Sequence, residues 1–255
     1  MKAAAVVLAG APNSGKLKEA SSENYEALIL LAGKPLVGWV VDALAESPFV
    51  EEIIVVGPKK ELAAALGEDW PPKGKVVQAG DTLLDNLKLG GEAAASERLL
   101  LVTADLPLLR PEIVDEFLTR AGETGASLCY PIVSKEDTLA MFPEAERTFV
   151  RLKEGTFTGG NFLYLEKHIL REASQLFEKV IAARKRPWQL VRILGTSFVF
   201  SFLFRTLSIA KIEERAKRLG LNARAIPMRQ AEVGFDVDKP KDLQLVKRVL
   251  EDFNR

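Results

Sequence analysis

The feature that most constrains this chain is a repeated alternation of short apolar runs with helix-periodic segments. Ala3–Ala9 is continuously apolar and ends at Gly10. Glu52–Val56, Lys75–Gln78, Leu99–Thr103 and Ala126–Ile132 read as further strands. Between them, Pro35–Ala45, Lys59–Leu66, Asp81–Ala95 and Pro111–Ala121 read as helices, with Asp81 or Thr82 able to cap the third. Such alternation predicts an α/β fold: a Rossmann-like, mostly parallel sheet with helices on both faces. Strands buried on both faces read as unbroken apolar runs, as these do. Ligands of such sheets gather outside the carboxyl ends of the strands. Gly10 and Asp105 lie just past two of those ends, so both are expected to face one crevice.

Beyond residue 133 the pattern changes. Residues 134–147 read as charged and irregular, and Thr148–Leu152 and Asn161–Leu165 as strands framing a Gly-rich turn. A helical insertion is expected at about 167–222, with an apolar helix around 189–204. Strands at Ala223–Met228 and Val233–Val237 and a helix at Pro240–Phe253 complete one expected domain over residues 1–255.

Composition narrows the chemistry. Lys and Arg number 35, as do Asp and Glu, and the zero net charge gives no support for nucleic-acid binding. The single cysteine, Cys129, excludes an intramolecular disulfide, and as part of an apolar strand it is expected to be buried. The single histidine, His168, removes mechanisms needing two imidazoles and is expected to be structural or exposed. Ala3–Ala9 is too short for a leader and Ile193–Phe204 too short for a membrane span, so the default expectation is a soluble cytoplasmic protein.

Five motifs carry candidate chemistry. Gly10-Ala11-Pro12-Asn13-Ser14-Gly15-Lys16 matches most of a phosphate-binding P-loop, but Leu17 stands where a Mg²⁺-binding hydroxyl is needed. The preferred reading is a nucleotide-binding loop of another kind, using backbone N–H groups near Gly10 with Lys16 and Lys18; a plain surface turn is the alternative. Gly33-Lys34-Pro35-Leu36 opens a helix, where backbone N–H groups and a lysine attract anions, though an ordinary turn reads equally well. Asp105, in Thr103-Ala104-Asp105-Leu106-Pro107-Leu108, is an acid among apolar residues past a strand, costly to place unless a cation or a capping contact pairs with it. Thr158-Gly159-Gly160-Asn161 allows close backbone approach to a ligand, or a hairpin turn. In Gly234-Phe235-Asp236-Val237-Asp238, two acids share one side of an extended segment. One of them could join Asp105 on a metal, or Asp238 could only cap the last helix.

Taken in order, Leu8-Ala9-Gly10, Gly-Lys-Pro-Leu at 33–36, Thr-Ala-Asp-Leu-Pro-Leu at 103–108 and Asp-Val-Asp-Lys-Pro-Lys-Asp-Leu at 236–243 resemble the molybdenum cofactor guanylyltransferase-like nucleotidyltransferases. The resemblance covers roughly 2–165 and 223–253. It implies a GT-A-type fold binding a nucleoside triphosphate. It further implies base and sugar contacts from Leu8, Ala9 and Gly10, weaker ones from Gln78, Asp81 and Asn86, and Mg²⁺ held by Asp105 and Asp238 with Asp236 beside it. Glu26 departs from the pattern, because relatives often carry a phosphate-binding lysine there; Lys16, Lys18 or Lys34 would then have to supply that charge. The expected activity is Mg²⁺-dependent transfer of a nucleoside monophosphate to a phosphorylated small-molecule acceptor, with release of pyrophosphate. Lys16 and Lys18 would steady the pyrophosphate, and Arg151, Gly160 and Asn161 would contact the acceptor. The alternatives are a GT-A glycosyltransferase using a nucleotide sugar, a P-loop kinase, or a nucleotide-sensing subunit without activity. For the apolar helix at 189–204, burial in the core is preferred over a homodimer contact or a membrane surface.

Overall fold

The computed structural model describes residues 1–172 and 206–253. The apolar helix expected at 189–204, and most of the expected insertion, lie outside the described residues.

Four strands form the parallel heart of the sheet, β1 (Ala3–Leu8), β4 (Val50–Gly57), β5 (Gly74–Gln78) and β6 (Arg98–Thr103), and β7 (Leu128–Ser134) lies beyond one intervening antiparallel strand. A small hairpin, β2 (Leu30–Leu31) with β3 (Lys34–Pro35), stands apart from them. The sheet order is β5-β4-β1-β6-β10-β7-β9-β8, where β8 is Val150–Leu152, β9 Gly155–Gly159 and β10 Phe162–Glu166; β11 (Ala223–Met228) pairs parallel to β7. β1, lying between β4 and β6, is wholly buried as far as Val7, which explains its unbroken apolar sequence.

Helices cover both faces. On one, α1 (Leu36–Glu46) and α4 (Pro111–Thr124) bury Val37, Val40, Leu44, Ile113 and Phe117 against alternate residues of β1 and β6. On the other, α3 (Leu83–Ala93) and α6 (Lys167–Glu172) bury Leu84, Leu87, Ile169 and Leu170 against Val6, Leu99 and Leu101. Thr82 starts α3 with a reciprocal capping box to Asp85, so Thr82 rather than Asp81 is the cap. The short helix α2 (Lys59–Leu66) follows β4.

A third apolar cluster lies beyond the strand ends. It packs Leu17 with Phe142, Phe235, Val237, Val246 and Leu250. Its supports are a 3₁₀ turn at Lys16–Glu19, α5 (Lys135–Met141) and α8 (Pro240–Phe253), while α7 (Ile209–Arg218) packs beside β11. The expected irregularity of 134–147 is thereby corrected. Ser134 caps α5 through Asp137 N, a signal hidden in a stretch dominated by charge.

Two further expectations change. Val233–Val237 is not a strand: Ala231–Gly234 forms a 3₁₀ turn, and the chain then runs extended through the two acids. Thr158–Asn161 is not a hairpin, because β9 and β10 do not pair with each other. Both run antiparallel along the same strand, Thr158 opposite Val133 and Tyr164 opposite Cys129. Six positions on one side thus answer four on the other, which makes Gly160-Asn161 a two-residue bulge in a nearly continuous strand.

Candidate functional site

Three backbone hydrogen bonds assemble the site. Asn161 N in the bulge donates to Val233 O at 3.1 Å, and Asn161 O accepts from Thr103 N at 3.1 Å. Val237 N donates to Asp105 O at 3.0 Å, stapling the second acidic motif to the first. Gly160 is required at this junction, since a Cβ there would come within 2.7 Å of both Pro131 Cγ and Val233 Cγ1. The glycine pair therefore serves close approach of protein to protein.

The staple brings carboxylate oxygens of Asp105, Asp236 and Asp238 within 4.8 Å of one another. Asp105 Oδ1 is enclosed and has no hydrogen-bond partner. Burial, then the nearby charge of Asp236, pushes the Asp105 pKa up to about 7. Asp236 is raised too, chiefly by burial, although the Arg147 guanidinium pulls the other way. Arg147 grips the Asp236 carboxylate and backbone carbonyl while stacked on Phe235, 4.4 Å from the ring centroid. Helix capping does not employ Asp238: the Asp242 carboxylate accepts from Asp238 N and Lys239 N instead. Three convergent hard oxygen donors, one buried and unpaired, fit a divalent cation such as Mg²⁺.

Beside the acids opens a pocket of about 370 Å³, lined by Leu8–Pro12, Glu26, Ala27, Gly80–Leu83, Asn86 and Thr103–Asp105. Gly10 and Asp105 share it, as their places past two strand ends require. Gly10 lets the opposite wall close in, for a Cβ would stand 2.9 Å from Ala79 Cβ and 3.0 Å from Asn86 Nδ2. Asn86 is buried, its Oδ1 accepting from Gly80 N at 2.8 Å. Asp81 is exposed at the rim.

Other expected contacts lie elsewhere. Gln78 is exposed and accepts from Lys59 N, turned away from this pocket. Lys34 pairs with Asp42 and lies over Trp39, 4.6 Å from the ring centroid, so Gly33-Lys34-Pro35 is an ordinary turn with Gly33 at φ +82°. Lys16 and Lys18 are exposed on the 3₁₀ turn next to the pocket's first wall and do not line it. The residue between them, Leu17, is 1% exposed in the third apolar cluster, and only that short turn follows, which removes the P-loop reading. Arg151 is exposed on β8 at the sheet edge, away from the pocket lining. Gly160 and Asn161 line an adjoining cleft. His168 is exposed and Cys129 buried, as expected; burial pushes the Cys129 thiol up.

One residue beside the acids escaped the sequence, and a second was marked there only as a departure from the pattern. Arg147 sits in the charged stretch 134–147, with no pattern to mark it out. Glu26 was visible as a departure, but not its position: it lines the pocket, its pKa raised by burial and then by the charges of Asp238 and Asp236.

Known proteins bear on this arrangement. A structure from Thermus thermophilus, described as a hypothetical transferase, is 38% identical and covers 95% of this chain and 100% of its own, with a TM-score of 0.81. CMP:2-keto-3-deoxy-manno-octonic acid synthetase, solved with CTP, has the same fold at 17% identity, with a TM-score of 0.68 over 99% of this chain and 100% of that one. The bifunctional protein GlmU of Geobacter metallireducens is 29% identical over 136 residues, 49% of this chain and 26% of GlmU, so the chain spans about a quarter of that relative. The MobA-like NTP transferase domain matches residues 5–192, well over half of the sequence, and the chain belongs to that family.

Proposed function

We propose that this protein is a Mg²⁺-dependent nucleotidyltransferase that moves a nucleoside monophosphate from a nucleoside triphosphate to a phosphorylated small-molecule acceptor, releasing pyrophosphate. The observation that carries this reading is the meeting of Asp105, Asp236 and Asp238 at the mouth of the pocket lined by Leu8–Pro12, with Asp105 Oδ1 buried and unpaired. Family membership and the likeness to nucleotidyltransferases support it.

Asp105 and Asp238 would hold the cation, with Asp236 shared between it and Arg147. A divalent cation held by these residues would supply positive charge against the negative charge that develops on the reacting phosphates. Backbone groups of Leu8, Ala9 and Gly10 and the side chains of Asn86 and Asp81 would orient the nucleoside. Lys16 and Lys18 ride on the turn beside the pocket and would meet the departing pyrophosphate. No general base is needed, since a phosphomonoester is ionised near neutral pH. Positioning and charge neutralisation then supply the rate.

Glu26 favours one second reading, a nucleotide-sensing protein without turnover. A carboxylate in the pocket repels phosphates where a cation would attract them. One experiment separates the two: pyrophosphate release from each of the four ribonucleoside triphosphates with Mg²⁺, across a panel of phosphomonoesters. Turnover that disappears in Asp105→Ala supports transfer. Thermal stabilisation by a triphosphate without turnover on any acceptor supports sensing, and turnover undiminished in Asp105→Ala removes the metal assignment.

A further inference from the structure

A second cleft, of about 290 Å³, adjoins the nucleotide pocket and shares Leu8, Leu83 and Thr103 with it. Its chemistry is different. Among the described residues its walls carry no charged side chain. Leu8, Leu83 and Leu87 meet Leu101 and Leu163 across the face of the sheet, and Tyr130 and Asn161 stand as polar groups near the acids. Tyr130 is 38% exposed there, and the cleft lies beside the acidic cluster because Thr103 lines it and the pocket that Asp105 lines. Thr103 lines both spaces, its hydroxyl donating to Asn161 O at 3.2 Å. A ligand with its phosphate at the acids and its body in this cleft would leave water for an apolar wall. Apolar walls with a few polar groups at one end favour a ligand that is itself apolar with one polar end. A sugar or a polyanion placed there would lose its hydration without replacement partners.

Resting on the nucleotidyl-transfer reading, we propose that the acceptor is a phosphomonoester with an apolar body, an alkyl or isoprenoid-like phosphate, and that this cleft is its subsite. A phosphate oxygen of the acceptor forms the new bond to the α-phosphorus. The bond from that phosphorus to the bridging oxygen breaks, and its electron pair leaves with pyrophosphate. The acceptor arrives ionised and no proton changes hands.

The test is calorimetric. The protein is first titrated with α,β-methylene triphosphates and Mg²⁺; the nucleotide-loaded protein then receives n-octyl phosphate or glucose 1-phosphate. The expected result is one octyl phosphate site binding at least tenfold more tightly than glucose 1-phosphate. Leu163→Asn and Tyr130→Asn, neither of which lines the nucleotide pocket, should each remove most of that preference and leave nucleotide affinity unchanged. Their melting temperatures and nucleotide titrations serve as the folding control. Equal affinities for the two acceptors overturn the inference. So does an octyl preference that survives both substitutions. Failure of every nucleotide to bind strikes nucleotidyl transfer itself, whereas a loaded protein indifferent to the octyl chain strikes only the acceptor class.

Discussion

At the scale of single residues, the site is a balance of like charges. Asp105 carries a folded pKa near 7, above its ordinary value near 4, because burial and Asp236 both oppose its ionisation. A carboxyl raised in this way favours the folded state below its ordinary pKa, and that advantage is lost as pH rises through about 7. Without divalent ions, the melting temperature should therefore fall between about pH 4 and pH 7. Asp105→Asn should flatten the fall, and Mg²⁺ at the upper end should reverse it; scanning calorimetry with and without a chelator reads all three. Arg147 bears on the same balance. Its guanidinium holds Asp236 and would compete there with a bound cation. Arg147→Ala should cost about 3 kcal/mol of stability in metal-free protein. It should also enlarge the stabilisation that Mg²⁺ confers, because Asp236 then loses its guanidinium partner. An unchanged response to Mg²⁺ in this variant would show that Asp236 does not reach the ion. Gly10→Ala would force Asn86 aside. Nucleotide affinity should drop about tenfold, or ~1.4 kcal/mol, in a titration with the tightest-binding triphosphate.

At the scale of elements, two irregular pieces matter more than the regular ones. The bulge at Gly160-Asn161 joins the end of β6, the middle of β7 and the turn before Asp236, through backbone groups with one hydroxyl, that of Thr103, added. Gly160→Val should disorganise both acidic motifs together, lowering Mg²⁺ affinity although no ligand atom has changed; metal titration followed by melting temperature checks this. Leu17 pins the turn bearing Lys16 and Lys18 to the third apolar cluster. Leu17→Ala should destabilise the protein by about 2–5 kcal/mol, read in a denaturant titration, as expected for emptying a packed site. These two pieces also show where the sequence was readable. β1, β6, α2 and α4 could be placed from their apolar periodicity, and Asp105 and Asp236–Asp238 from acids set beside apolar strands. α5 stayed hidden because its helical period is only two turns long, drowned in charge. β9 stayed hidden because it is half-buried and Gly-bounded, and the bulge because register appears only once both strands are paired. Gln78 was carried over by resemblance and Lys34 read from its place before a helix, and their side chains are engaged by Lys59 N and Asp42 instead. Nothing in a one-dimensional pattern marks which way such a side chain turns.

At the scale of the whole molecule, a chain with no net charge concentrates four carboxylates, Glu26, Asp105, Asp236 and Asp238, about one opening. A ligand that bridges them through a cation should act on the entire fold by mass action. A triphosphate with Mg²⁺ should raise the melting temperature well beyond the sum of the two added singly, and a chelator should abolish the excess. Simple additivity would mean that metal and nucleotide do not meet. Among the described residues no helix is long and apolar enough to cross a membrane.

The staple between Val237 and Asp105 ties a residue near the middle of the chain to one near its end. During synthesis Asp105 leaves the ribosome long before its companions exist. A nascent polypeptide halted before residue 236 would own a nearly finished sheet but only one of the three clustered aspartates, so the proposed ion site would have to wait for a segment translated more than a hundred residues later.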